Sequence, residues 1–398
     1  MPKLDFTVKA HGPPSYFLHE LVLYALKLGS LGFGGPVALV GYMHRDLVEK
    51  RGWISESDFK EGLTLAQLAP GPLAAQTAIY LGYVHYRILG ATLVGIAFVL
   101  PSFLMVVGLG WAYTLYGGLG WMQAVFYGVG ASVIGIIALS AYKLTRRAIG
   151  TDWLLWGIYL AVAAVTVITE SEKVLLFLAA GILIWLVKAP PKFKWSRTTW
   201  IAGLITLPIT TAVAGMPTAN TETLWNIFIF FAKAGSFVFG SGLAIVPFLY
   251  GGVVREYHWL TDRQFLDAVA VAMITPGPVV ITVGFIGFLV AGLPGAIIAA
   301  LGTFLPCYLF TIIPAPYFKK HGKRPGIAAF VNGVTAAAIG AISGAVIVLG
   351  RRSIIDVATA LLALATVGLL WQGKKVPEPL IVLGAAITGL VVKYWIPS

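Results

Sequence analysis

The chain has 398 residues, of which 58% are hydrophobic and only 11% are charged, and its mean hydropathy is +0.87. A soluble domain carries about 25% charged residues, so this composition excludes a soluble protein and predicts one embedded in a lipid bilayer. Uncharged runs such as Trp153–Thr169 approach the ~20 residues of a membrane-spanning helix. No ten-residue alternation typical of a barrel strand occurs, so the predicted fold class is an all-α polytopic membrane protein.

The net charge of +12 and the single cysteine narrow the function classes further. Basic residues gather in the cytoplasmic loops of membrane proteins, so we interpret the charge as a topology signal and expect no nucleic-acid partner. Cys307 permits no internal disulfide, and the sequence contains neither CxxC nor HExxH. We expect no metal site, no cofactor and no enzyme activity, because a membrane enzyme needs a nucleophile or metal ligands gathered on one helix face.

The first half of the chain is predicted to contain two interrupted apolar segments and four plainer helices. In chain order they lie at about 16–48, 56–86, 88–116, 118–142, 153–169 and 173–188. The second half has the same order, at about 222–254, 262–292, 294–316, 326–349, 353–371 and 376–396. One apolar run, 199–215, is left over between the halves. The N-terminus, which is polar and contains prolines, does not have the pattern of a cleaved signal peptide.

The two halves are copies of one unit. A shift of 206 aligns residues 27–72 with residues 233–278, with 14 identities in 46 ungapped positions. The identities include Trp53 with Trp259 and the string PGP at 70–72 and 276–278. After one deletion a shift of 205 aligns Pro101 with Pro306. Glycines, prolines and a tryptophan in register indicate a duplication.

The duplication predicts a first repeat at 1–190, a linker with one extra transmembrane helix at 191–221, and a second repeat at 222–398. If each repeat crosses the membrane an even number of times, the extra helix turns the second repeat upside down. If the broken segments dip in and return, 20 of the 28 basic residues lie inside and six outside, although Arg351 and Arg352 fall on the outer side. We therefore predict two homologous inverted repeats with interrupted helices plus one linking transmembrane helix. The sequence leaves open whether the broken segments dip or cross.

The interruptions predict where a ligand binds. A helix that starts inside the bilayer leaves its first N–H groups unpaired, and together with the helix dipole they favour an anion. Proline suits the first turn of such a helix, at Pro36, Pro72 and Pro278, and neighbouring glycines let the backbone approach a ligand closely. The competing interpretation is that these residues only kink helices and allow close packing.

Charged and polar side chains near the breaks extend the candidate site. Lys27 and Lys233 each lie six residues before a Phe-Gly break, where they either supply positive charge to the anion or extend to the headgroups. Hydroxyl and amide groups either bind oxyanion oxygens or join helices. The candidate anion-binding residues are Lys27, Ser30, Gly34, Gly35, Pro36, Gln67, Pro70, Gly71 and Pro72 in the first repeat, and Lys233, Ser236, Gly240, Ser241, Gly242, Thr275, Pro276, Gly277 and Pro278 in the second. Glu61 and Asp267, at matching positions, either face the headgroups or couple transport to protons.

These motifs resemble the chromate ion transporter family. The resemblance rests on FGGP at 33–36, the spacing of Trp53 and Phe59, QLAPGP at 67–72, and their partners in the second half. It covers nearly the whole chain, as in the long, two-domain members. It implies export of chromate, with sulfate as the chemically similar oxyanion, by a multi-pass protein of the bacterial inner (plasma) membrane. The second half departs from the motifs at Ser241, Gly242 and Met273, so the first half is expected to carry more ligand contacts.

The residues themselves, without the resemblance, indicate only a compact anion. A transporter or channel for another small inorganic anion such as sulfate therefore stays open as the alternative, and a polytopic membrane enzyme is disfavoured. The expected partners are a chromate or sulfate-like oxyanion and the lipid bilayer. A homodimer is left open beside a monomer.

Overall fold

The computed structural model of the chain describes residues 16–32, 35–116, 120–169, 174–190, 221–237, 239–240, 245–321, 325–371 and 378–395. These residues are almost entirely helical, which confirms the all-α prediction. The predicted linking helix at 199–215 lies outside the described residues.

The helices of the two halves follow the same order. In the first half they are α1 (Leu18–Leu31), α2 (Gly35–Met43), α3 (Glu56–Leu68), α4 (Leu73–Tyr116), α5 (Gly120–Ala148), α6 (Trp153–Thr169) and α7 (Val174–Lys188). In the second they are α8 (Thr221–Phe237), α9 (Ile245–Tyr250), α10 (Asp262–Ile274), α11 (Thr282–Ile312), α12 (Ala315–His321), α13 (Pro325–Ser353), α14 (Val357–Trp371) and α15 (Glu378–Trp395). Two pairs of residues are extended, β1 (Gly71–Pro72) and β2 (Phe239–Gly240).

Long apolar helices support insertion in a membrane. Among the described residues, four helical stretches are long and apolar enough to cross a bilayer: Leu73–Tyr116, Gly120–Arg146, Val279–Phe318 and Pro325–Ser353. Many large apolar side chains on their surfaces are exposed, as are Leu160 and Ile168 on α6. Lipid rather than water suits such a surface. The chain is therefore a multi-pass membrane protein.

Unusual backbone conformations recur at the same shifts as the sequence motifs. A π-helical turn follows α2 (His44–Lys50) and another follows α9 (Gly251–Glu256). Gly52 and its counterpart His258 have φ of 60° and 51°. Arg87 and its counterpart Gly292 have φ of 52° and 61° with ψ of −139° and −153°. The two halves thus share a backbone even where one of them lacks the glycine that this conformation favours.

The first broken segment of each repeat is a helical hairpin. Tyr16, just before α1, stacks on Trp53, which follows the π-helical turn after α2, with ring centroids 4.8 Å apart. Further along, the hydroxyl of Tyr24 lies 3.5 Å from a carboxylate oxygen of Asp46. In the second repeat the same arrangement brings Phe230 of α8 against Trp259. Since both ends of the segment meet, the break between α1 and α2 forms the tip of a hairpin.

The second broken segment is also a hairpin, and a sharp turn follows it. The hydroxyl of Tyr80 in α4 donates to Glu61 of α3 over 2.9 Å, so the chain doubles back at Gly71–Pro72. At Arg87 the chain reverses again, and Gly82 then lies against the backbone of Gly90 with no room for a side chain. The remainder of α4, 88–116, is long enough to cross the bilayer, at roughly 1.5 Å per residue. Helix α11 repeats this geometry. Residues 282–290 form the hairpin arm, the chain reverses at Gly292, and residues 293–312 form the long part.

The repeats interlock through their later helices. Helix α5 packs on α14 and α15, whereas its counterpart α13 packs on α6 and α7. Glycines make these crossings close: a side chain on Gly128 would meet the backbone of Ala385, and one on Gly333 would meet the backbone of Ala180. The two contacts are equivalent, because Gly333 lies 205 positions after Gly128 and Ala385 lies 205 positions after Ala180. Such reciprocal contacts are what a two-fold relation between the repeats requires.

Candidate functional site

The hairpin tips of one repeat meet the tips of the other. Gly71–Pro72 runs parallel to Phe239–Gly240 as a two-residue ladder, joining the second tip of the first repeat to the first tip of the second. The reciprocal contact is a hydrogen bond of 2.8 Å from the N–H of Gly277 to the carbonyl oxygen of Gly32. All four interruptions that the sequence predicts are therefore used at the contact between the repeats.

Two small polar side chains lie behind these tips. The hydroxyl of Ser102 lies 2.8 Å from the carbonyl oxygen of Pro276 and 3.2 Å from that of Gly29. Its counterpart Cys307 is buried, and its sulfur lies 3.1 Å from where a Cβ on Gly71 would be. Ser102 thus ties the α1 tip of its own repeat to the PGP tip of the other.

Gly71 and Gly277 have φ of +139° and +97°, a region that favours glycine. The sequence-based interpretation assigns these glycines to the close approach of a ligand. In the structure the space beside each is occupied by protein: Gln76 and Cys307 lie against Gly71, and Ser102 lies against Gly277. The glycines therefore first serve the contact between repeats, and the N–H of Gly277 already has an acceptor.

Helices begin close to three of the four predicted positions. α2 begins at Gly35 with Pro36 in its first turn, α4 begins one residue after Pro72, and a 3₁₀ turn begins one residue after Pro278. The fourth, α9, begins at Ile245, and Gly34, Ser241 and Gly242 lie outside the described residues. The N-ends of α2, α4 and the turn that leads into α11 consequently start at or near hairpin tips, as the anion-site hypothesis requires.

Most predicted hydroxyl donors are engaged with their own helices. Ser30, Ser236 and Thr275 each donate to the carbonyl oxygen four residues earlier, over 2.6–2.7 Å. A hydroxyl has one proton, so these three bond helix backbone and not a ligand in this conformation. Gln67 is exposed on α3. The buried amide of Gln76 donates to the carbonyl oxygen of Pro70 over 2.7 Å, and its own oxygen has no partner among the described residues.

The two predicted lysines are both exposed, and the structure places Lys27 beside other basic side chains. Lys27 lines a cavity of about 570 Å³ at the first hairpin, together with Arg45, Lys50 and Arg51. We call this cavity the basic vestibule. Asp46 is its acidic member; burial raises the pKa of this carboxyl, but hydrogen bonds from Arg45 and Lys50 outweigh burial and lower it overall.

The two predicted acids each accept a tyrosine hydroxyl. Glu61 accepts from Tyr80 of its own hairpin, whereas Asp267, which is 4% exposed, accepts from Tyr113 of the other repeat over 2.7 Å. Tyr113 lies near the end of α4, and Ala315 and Phe318 of α12, which follows α11, pack in turn beside Tyr80. Among the described residues, no three His, Cys, Asp or Glu side chains come together as a metal site needs.

Sequence reasoning missed Ser102, Tyr113 and the basic vestibule. Ser102 matches Cys307 at the shift of 205, directly after the paired prolines, and this register was the available signal. Comparison of the repeats could not reveal the vestibule, because the second repeat has no arginine at the positions that match Arg45 and Arg51.

Comparison with known proteins identifies the family. The model of the chromate transporter family matches the chain twice, at residues 19–185 and 225–390. A chromate transport protein of Cupriavidus metallidurans is 71% identical over 96% of this chain and 94% of its own length. A probable chromate transport protein of Synechococcus elongatus is 66% identical over 97% and 98%, and a chromate transport protein of Pseudomonas aeruginosa is 29% identical over 98% and 95%. No solved structure matches the chain.

These matches run through both repeats and include the hairpin tips, since each matched range contains both interruptions of its repeat. The chain therefore belongs to the chromate transporter family.

Proposed function

We propose that the protein exports chromate from the bacterial cytoplasm across the inner membrane, with sulfate-like oxyanions as competitors. The observation that carries the proposal is the meeting of four hairpin tips, two from each repeat, at which helices begin. The names of the relatives support chromate as the substrate. The meeting of the tips and the names of the relatives both agree with transport rather than catalysis.

We further propose that the repeats are inverted relative to each other. The open ends of the first repeat's hairpins lie beside Arg87, where the long part of α4 begins. Its far end carries Tyr113, which bonds Asp267 near the open end of a hairpin in the second repeat. A helix that crosses the bilayer therefore connects the open ends of the two hairpin sets, and this supports their lying on opposite faces.

In this arrangement the anion binds near the hairpin tips, at mid-membrane. The N-ends of α2, α4 and α11 supply partial positive charge, each worth typically 0.3–1 kcal/mol and up to ~2 when partly buried. Several such ends together offset part of the cost of removing an oxyanion from water without a fixed cation. Weak, distributed binding also permits release. Because Gly71 and Gly277 contact protein, opening of the tip contacts is part of the transport cycle.

The membrane potential favours this direction. With the inside negative, each negative charge moving outward gains roughly 2.3 kcal/mol per 100 mV, and a dianion gains about twice that. Export consequently needs no bound coupling ion. Proton exchange at Glu61 or Asp267 would add a second driving force, and transport under an imposed pH gradient tests for it.

A transport assay tests the proposal. Purified protein in liposomes is expected to show saturable counterflow of labelled chromate, inhibited by sulfate and less by phosphate, whose charge and protonation differ. A channel instead gives currents proportional to voltage without counterflow. Absence of chromate movement in correctly folded protein contradicts the proposal.

A further inference from the structure

We propose that the basic vestibule is a loading site that captures divalent oxyanions from the cytoplasm before they reach the hairpin tips. The proposal rests on the proposed function, because it assigns a direction and an entrance to anion transport. It concerns Arg45, Lys50 and Arg51, which belong to neither the broken motifs nor the tips.

The charges of the vestibule suit an anion. Four basic side chains and one carboxylate line the same cavity. Asp46 is shared by Arg45, at 3.0 Å, and Lys50, at 3.4 Å, and so compensates one cation at most. Neither Lys27 nor Arg51 has a carboxylate partner within the part of the chain that the structure describes. Three positive charges therefore remain, those of Lys27 and Arg51 and one of the two beside Asp46, for a ligand with two negative charges.

Arg51 is held in position by aromatic rings. Its guanidinium carbon lies 4.4 Å from the ring centroid of Trp53 and 5.4 Å from that of Tyr24. Contact with ring faces holds a guanidinium in place without using its N–H donors. The planar fork then stays available for two oxygens of a tetrahedral oxyanion, the geometry for which arginine is suited.

The vestibule leads to a tip. Gly32 lines the cavity, and its carbonyl oxygen accepts the N–H of Gly277 at the contact between repeats. An anion bound beside Lys27 and Arg51 therefore lies next to the contact that must open for transport. The volume of about 570 Å³ admits an oxyanion with part of its hydration shell.

The second repeat keeps only one of these four charges, because Lys27 corresponds to Lys233. Arg45, Lys50 and Arg51 correspond to Gly251, Glu256 and Tyr257. The hairpin mouth of the first repeat therefore attracts anions more strongly than that of the second, where Arg255 is followed by Glu256. The positive-inside rule assigns the basic mouth to the cytoplasm, so an anion is concentrated where export begins and is not retained where it ends.

The test uses membrane vesicles turned inside out, which expose the cytoplasmic face to labelled chromate. The variants are Arg51→Gln and the double variant Lys27→Gln/Arg51→Gln, with Arg51→Lys to keep the charge without the fork. Lys60→Gln is the matched control, because Lys60 is an exposed lysine of the neighbouring α3 that pairs with Glu56 outside the vestibule. Initial uptake rates are measured against chromate concentration at low and high salt.

The double variant is expected to raise the half-saturating chromate concentration roughly tenfold or more, since hydrogen bonds to charged groups are being removed. The salt dependence of its half-saturation should flatten. Arg51→Lys should show an intermediate effect, and Lys60→Gln none. Equal half-saturation and equal salt dependence in the double variant and in Lys60→Gln overturn the loading site.

Equilibrium binding separates this proposal from the proposed function. If the parent protein transports neither chromate nor sulfate, the proposed function fails. The vestibule is then judged by binding of chromate and sulfate to the purified protein at low salt. Weaker binding by the double variant supports it, and unchanged binding overturns it.

Discussion

The most informative residues are the glycines at the PGP tips. Gly71 and Gly277 combine positive φ with neighbours from the opposite repeat, so alanine there is strained by backbone and by contact together. If these residues only kinked helices, substitution of the prolines would have the larger effect. If the glycines only contacted a ligand, their substitution would leave the stability of the ligand-free protein unchanged. The structure predicts a third outcome, in which glycine substitutions weaken the contact between the repeats.

We expect Gly277→Ala to destabilise the ligand-free protein by about 1–3 kcal/mol, the usual cost of such a backbone conformation. Its new Cβ also meets the hydroxyl of Ser102. Ser102→Ala removes that hydroxyl, so the double variant should be more stable than the sum of the single effects predicts. Thermal unfolding in detergent of the four proteins measures the coupling. Strict additivity contradicts the proximity of these residues.

Arg87 offers a prediction of the opposite sign. It has the backbone conformation of its counterpart Gly292, with φ of 52° and ψ of −139°. Arg87→Gly should raise stability by roughly 1 kcal/mol, because relief of strain outweighs the loss of the guanidinium contact with Tyr83. Gly292→Ala, with open space around its Cβ, should lower stability by a similar amount. Melting temperatures that move in the same direction contradict this account.

Residue-scale prediction from the sequence was possible only where the repeat supplied a register. The register pointed to Gly71 and Gly277 because rare residue types coincided twice. The register marks the position of Ser102 through its match with Cys307, but the roles of Ser102 and Tyr113 depend on partners 174 and 154 positions away. Contacts over such distances depend on how the repeats pack.

At the scale of elements, local signals were sufficient. The predicted helix at 153–169 has the observed bounds. Ser55 and Thr261 cap α3 and α10 by accepting hydrogen bonds from the N–H groups of Asp58 and Gln264, a spacing typical of helix starts. Hairpins could not be told from crossing segments, because both place the same apolar residues on either side of a break. The contact of Tyr16 with Trp53 distinguishes them, and it needs the folded chain.

Substitution of Asp267, which lies where α10 contacts the end of α4, tests proton coupling. Asp267→Asn keeps an acceptor for Tyr113 but cannot release a proton, so the fold should persist. If the carboxyl exchanges a proton during transport, chromate counterflow by the variant should no longer respond to an imposed pH gradient. Glu61→Gln, whose tyrosine partner lies in its own hairpin, is the matched comparison. An unchanged response in both variants assigns the two acids a structural role.

At the scale of the molecule, the main finding is that the contacts between the two repeats come in equivalent pairs. The pairs Gly71–Phe239 and Gly277–Gly32, and the glycine contacts of α5 and α13, each join one repeat to the other in both senses. The counts of basic residues predict inversion from the sequence, but Arg351 and Arg352 contradict the rule. Arg352 pairs with Asp262 in the structure, so part of this wrong-side charge is neutralised by an ion pair.

Accessibility of repeat-equivalent positions tests the inversion directly. Ser57 and Arg263 are 206 positions apart, exposed, and in the first turns of α3 and α10. We expect Ser57→Cys to react with a membrane-impermeant thiol reagent only from the cytoplasm and Arg263→Cys only from outside. Cys307→Ala gives the background, since Cys307 is the one cysteine of the chain and is fully buried. Removing Arg263 also takes a positive charge from the outer face, which the positive-inside rule does not oppose. Labelling of both cysteines from the same side means that the repeats are parallel, and the hairpin tips then cannot approach one another from opposite faces of the membrane.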